Sequence, residues 1–254
     1  MKAQSLSSST PIRRSKSSVR ERLHERWTKL AVLRELKLLA NARVREKMAY
    51  FGVRVPKALG ISTPRLHALA RRIGKNQQLA EQLWRSGVHE ARILAALVGE
   101  ADKITPRQMD RWARDFNAWD VVDASCCYLY AAAAPAWQKA ESWSRRPEEF
   151  VKRAAFSLVA YLSYKDKRAS NARFERFLRV IEREAHDERN FVRKAVNWAL
   201  RNIGKRNVRL NRAAIRAAER IRRQNSRFAR WIAADALREL RSGAVQARLR
   251  RKAT

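Results

Sequence analysis

Trp119 and Asp123 stand four residues apart in the stretch DFNAWDVVDASC, so on a helix they share one face a single turn apart, an aromatic plate beside a carboxylate. Farther along come Arg153 within FVKRAAF, and Trp198 with Arg201 within FVRKAVNWALR. Together these groups fit a cationic intermediate held on a phosphate backbone. The carboxylate and the indole faces attract developing positive charge, and guanidinium groups present forked donors to phosphate oxygens. Each residue alone has a plainer role. A Trp in a helical protein is usually core filling, which leaves Trp84, Trp112, Trp137, Trp143 and Trp231 unassigned, and a mid-helix acid such as Asp120 is usually solvated. The joint constellation carries the chemical reading. Other chemistries are missing from the chain. There is no Gly-rich phosphate loop, no H-E-x-x-H and no C-x-x-C, and His24, His67, His89 and His186 are scattered. Cys126 and Cys127 are adjacent, which disfavours both a disulfide framework and a zinc cluster, so neither metal nor cofactor is expected.

Helices must position these residues. Only 7 Gly and 6 Pro occur in 254 residues, alongside abundant Ala, Leu, Arg and Glu, a composition that excludes turn-rich β folds. FVKRAAFSLVAYL from Phe150 is echoed by FVRKAVNWALRNI from Phe191 and by FARWIAADALREL from Phe228. HEARILAALV from His89 and a helix around Trp119 to Tyr130 read as diverged copies. Phe150, Ala154, Leu158 and Leu162 illustrate the apolar spacing that buries one face of each copy. Helix starts at Thr63-Pro64, Thr105-Pro106, Arg146-Pro147 and Asp187-Glu188 recur about every 41 residues, within the range of two-helix solenoid repeats. The expected fold is all-α, a curved right-handed solenoid of helical hairpins. Equivalent edges of its second helices line a concave face, so Trp119, Asp123, Arg153, Trp198 and Arg201 fall on one patch about three repeats wide.

Charge names the partner class. With 57 Lys and Arg against 24 Asp and Glu, the net charge is +33, a self-repulsion most easily tolerated beside a polyanion. Nucleic acid therefore leads over an anionic membrane, and no apolar run approaches the roughly 20 residues of a membrane span. Lys194, Lys205 and Arg206 join Arg153 and Arg201 as expected phosphate contacts. Residues 1–20, rich in Ser and Arg and free of acids, read as a disordered basic tail; a transit peptide shares that composition, but the amphipathic periodicity is lacking. The repeat domain is expected over 21–242 and a basic tail over 243–254, in a chain suited to a reducing cytoplasm.

The stretches WRSGVHEARILAALV, MDRWARDFNAWDVVD, EEFVKRAAFSLVAYL, DERNFVRKAVNWALRNIGKR and ARWIAADALREL resemble the DNA alkylation repair family of HEAT-like-repeat alkylpurine DNA glycosylases, the AlkD type. The likeness runs from about Met48 to Leu240. It implies a HEAT-like-repeat solenoid that acts as a monomer on double-stranded DNA, hydrolysing the glycosidic bond of cationic N3- or N7-alkylated purines without a deep base pocket. It further implies that Asp123 is the catalytic carboxylate, with Trp119 and Trp198 as aromatic walls and Arg153 and Arg201 as backbone clamps. The charge exceeds what the family leads one to expect. That excess favours a rival, a non-catalytic helical-repeat scaffold for branched DNA or structured RNA.

Overall fold

A computed structural model describes residues 27–251, so the expected tail at 1–20 lies outside the described residues. Among the described residues there are α-helices, one short 3-10 turn (Tyr130–Ala132) and no strand. In chain order the helices are α1 (Lys29–Leu38), α2 (Ala42–Tyr50), α3 (Thr63–Ile73), α4 (Gln77–Trp84), α5 (His89–Val98), α6 (Pro106–Arg114) and α7 (Trp119–Tyr128). There follow α8 (Ala136–Trp143), α9 (Glu149–Lys165), α10 (Asn171–Glu184), α11 (Asn190–Gly204), α12 (Val208–Arg222), α13 (Arg227–Leu240) and α14 (Gly243–Arg251).

Local signals set the boundaries. The Thr105 hydroxyl accepts the Gln108 amide at 3.1 Å with Pro106 in the first turn, and Asn207 and Ser226 cap α12 and α13 in the same way. From α4 onward the chain alternates between an outer and an inner helix. The inner helices α5, α7, α9, α11 and α13 pack side by side, as do the outer helices α10 and α12. Small residues let them approach closely; a Cβ added at Gly204 on α11 would lie 2.6 Å from Leu240 on α13.

The repeat is not uniform. Bonds between neighbouring repeats span 29 residues for Lys139 to Asp110, 31 for Trp84 to Asp115 and 30 for Arg153 to Asp123, but 38 for Asn197 to Asp235. The expected spacing of about 41 residues therefore describes only the later repeats. The early helices α4 to α8 are 8–10 residues long whereas α9 to α13 are 14–17, and a shorter hairpin closes in fewer residues. The proline-marked starts are also not equivalent, for Pro106 opens the outer helix α6 while Pro147 precedes the inner helix α9.

Several unassigned tryptophans are rungs between repeats. Trp84 stacks on the fully buried Trp112 with centroids 4.1 Å apart, and its indole N–H donates to Asp115 at 2.8 Å. Trp143 donates to Asp110 and Trp137 to Asp166 in the same manner. At the far end, the stretch expected as a basic tail from 243 is helical as α14 and buries Val245 and Leu249. Among the described residues no helix is long and apolar enough to cross a membrane.

Candidate active site

Asp123 sits in the second turn of α7 and reaches across to α9. Its Oδ2 accepts from Arg153 Nη2 at 2.7 Å and its Oδ1 from Ser157 Oγ at 2.9 Å. Arg153 also donates through Nη1 to the Phe191 carbonyl at 2.9 Å, so one guanidinium ties α7, α9 and α11 together. The Arg153 side chain is only 7% exposed and Asp123 17%. Burial pushes the Asp123 carboxyl above its ordinary value; Arg153 and Ser157 pull it down and the neighbouring Asp120 adds to the rise, but burial outweighs the stabilising contacts.

Arg153 therefore differs from the expected backbone clamp. Its donors are turned inward onto Asp123 and a carbonyl, which makes it the group that orients the carboxylate. Its guanidinium also lies 5.9 Å from the centre of the Trp119 ring. Trp119 is itself fixed at the other edge, donating its indole N–H to the Phe51 carbonyl at 3.0 Å. Trp198 on α11 is half-buried and meets Tyr161 of α9 edge-on, with centroids 4.9 Å apart. Tyr161 is a site residue that the sequence reading missed. It follows Ser157 by one turn on the helix face that Arg153 also occupies, and that i, i+4 spacing was the available signal. Burial, followed by the nearby Asp123 charge, drives its phenol far above the usual range.

A pocket of about 710 Å³ opens beside Asp123, with Trp198 and Arg153 outside its lining; the expectation was an open face without a deep base pocket. Asp123, Trp119 and Tyr161 form one wall. The opposite wall, with Met48, Phe51 and Ile61, comes from α2 and the strap between α2 and α3. Helix α2 buries no residue, whereas the strap buries Val53, Ala58 and Ile61 and is also held by hydrogen bonds. Glu90 of α5, fully buried, accepts the Gly60 amide at 2.7 Å, the Ile61 amide at 3.3 Å and the Leu59 amide at 2.9 Å. Gly60 adopts φ +78°, and a Cβ there would fall 2.1 Å from the Asn41 carbonyl oxygen, so only glycine lets the strap pass.

The remaining cations divide sharply. Arg201 pairs with Glu239 and lies 3.5 Å from Asp235, and Lys205 pairs with Glu239 at 2.6 Å. Arg206 donates to the carbonyls of Ser163 at 2.8 Å, Ala169 at 3.1 Å and Lys167 at 3.3 Å, stitching α11 to the end of α9. All three were expected to grip phosphate, and in the structure the donors of all three are engaged by carboxylates or backbone carbonyls of neighbouring repeats. Lys194 is exposed and has no ion pair among the described residues.

Replacing Arg153 by Met removes the cation while burial persists, so the Asp123 carboxyl should move further up. Carboxyl NMR titration should report the shift, and an unchanged Asp123 titration would sever the two groups. Because this proton is held more tightly in the folded chain, the stability contributed by Asp123 is fully present below the ordinary carboxylate value and lost as pH rises through the higher folded value.

The sequence signature of the DNA alkylation repair enzymes matches residues 32–240, from within α1 to the last residue of α13. The chain belongs to the DNA alkylation repair enzyme family. Among solved structures, a protein of a new family related to the HEAT-like repeat DNA glycosylases, with affinity for branched DNA structures, superposes with a TM-score of 0.72 at 20% identity, covering 88% of this chain and 96% of that one. A designed armadillo repeat protein aligns at 14% identity with a TM-score of 0.34, covering 90% and 96%. No curated protein matches the chain. The DNA alkylation repair fold is thus a HEAT-like-repeat solenoid whose family match spans the whole Asp123 site and its strap.

Proposed function

We propose that this DNA alkylation repair protein is a glycosylase that hydrolyses the N-glycosidic bond of cationic N3- or N7-alkylated purines in duplex DNA. The carrying observation is the Asp123 carboxylate, fixed by Arg153 and Ser157 and bordered by the rings of Trp119 and Tyr161. An alkylated purine already bears positive charge, so it departs without a general acid. The demand falls on the sugar, which becomes oxocarbenium-like as the C1′–N bond breaks, and on the water whose oxygen then bonds to C1′. An ionised carboxylate meets both needs, stabilising the cation and accepting the proton of the water. Both oxygens of Asp123 already accept one hydrogen bond, and each retains a second lone-pair site for water. Trp119, Tyr161 and Trp198 supply ring faces and edges beside the developing charge. Asp123, Trp119 and Trp198 are the proposed reacting surface, acting in a monomer on double-stranded DNA without cofactor or metal.

The phosphate grip follows from which cations are free. Lys194→Ala should lower the slope of log affinity against log salt by about one, whereas Lys205→Ala, whose charge is matched by Glu239, should leave the slope nearly unchanged. A wild-type slope for Lys194→Ala would place Lys194 off the DNA.

A second reading is favoured by the net charge of +33 and by the branched-DNA affinity of the structural relative: a scaffold that grips DNA and leaves every base attached. Release of free base from duplexes carrying 7-methylguanine or 3-methyladenine separates the two. Release supports the glycosylase. Tight binding without release, with preference for a branched probe, establishes the scaffold instead.

A further inference from the structure

The three similar inner-helix motifs place Phe150, Phe191 and Phe228 in register, and three residues beyond each stand Arg153, Lys194 and Trp231. At this station Arg153 is buried against Asp123 and Lys194 is exposed. Trp231, on α13, is an indole left 44% exposed on the side of the helix that meets α11. The Arg193 guanidinium of α11 lies 5.5 Å from the Trp231 ring centre and 5.2 Å from that of Phe228, which Arg227 approaches at 4.6 Å. Arg227 and Arg230 on the same helix, and Lys194 at the matching position of α11, are exposed and have no ion pair among the described residues. The tryptophans of the outer helices α4, α6 and α8 are consumed as rungs between repeats; Trp231, on an inner helix, is exposed beside the Arg193 guanidinium.

An exposed indole backed by a guanidinium and flanked by cations is the chemistry that binds a nucleotide by its base face and its phosphates at once. In an intact duplex the base faces are already stacked on one another, so only an unpaired nucleotide can present one. We infer that Trp231, backed by Arg193, is a stacking station for an unpaired nucleotide, with Lys194, Arg227 and Arg230 taking the adjoining phosphates. The station lies along the same row of inner-helix positions as Asp123, two inner helices beyond Arg153. A DNA strand following the inner helices would meet both. The inference rests on the DNA-binding part of the proposed function and is independent of base release.

The test compares the full chain on two probes at one salt concentration, a blunt duplex and the same duplex carrying a short thymidine overhang. The wild-type chain should favour the overhang probe. Trp231→Ala should weaken that probe about tenfold, the size expected of one stacked base, while blunt-duplex affinity stays within about twofold; Trp231→Phe should retain most of the preference. Equal losses on both probes, or no loss on either, would overturn the stacking station. A wild-type chain that binds neither probe would overturn the DNA reading as well, so the two failures are distinguishable. Circular dichroism of each variant checks that the helices persist.

Discussion

Asp123→Asn should release alkylated base at least a hundredfold more slowly than the wild-type chain while binding the same duplex within a few-fold. The size follows from removing a preorganised charge from the position where an oxocarbenium-like sugar forms, a change worth about two to three orders of magnitude in rate. The substitution is conservative in shape. The amide oxygen still accepts from Arg153, and the amide nitrogen can donate to Ser157 Oγ, which turns its own proton away. Charge is therefore the property removed, and binding, which draws on cations elsewhere, is spared. Single-turnover release from a 7-methylguanine duplex, measured beside duplex affinity, checks both halves. An Asn variant that still releases base at the wild-type rate removes Asp123 from the chemistry.

Glu90→Ala should detach the strap. One buried carboxylate holds the amides of Leu59, Gly60 and Ile61, and without it those donors lack a partner unless the segment opens to water. Each buried, unmatched donor costs about 1–3 kcal/mol. A loss of about 3 kcal/mol corresponds to roughly a hundredfold faster amide exchange at these positions, with the rest of the solenoid keeping its protection. Glu90→Gln keeps one acceptor oxygen and should fall between. Because the strap carries Phe51, whose carbonyl holds Trp119, the alanine variant should also lose base release without losing the inner-helix DNA contacts. Unchanged exchange at 59–61 would mean that the strap is held by its apolar contacts with the pocket wall.

Much of the site was legible because helical spacing is local. Trp119 and Asp123 share a face by their separation alone, and the repeated F-x-x-x motifs mark α9, α11 and α13 as equivalent elements. Tyr161 was legible in principle on the face of Arg153 and Ser157, but an aromatic in an apolar motif looks like core. Arg201, Lys205 and Arg206 were read as phosphate contacts because a basic chain offers no way to see which cations are spent; their partners Glu239 and Ser163 lie 34 to 43 residues away.

The amino-acid sequence by itself determined that the chain is helical, that its inner helices repeat, and that a tryptophan and a carboxylate stand together on one of them. Those properties follow from composition and from periodicity within a single turn or helix. Only the tertiary structure decided that Arg153 faces inward to Asp123, that a strap anchored by Glu90 closes a pocket over an otherwise open face, and that Trp231 remains uncovered. Such contacts depend on the length of each hairpin and the offset between neighbouring repeats. Those quantities are set by the packing of whole helices against one another, which no local pattern of residues encodes.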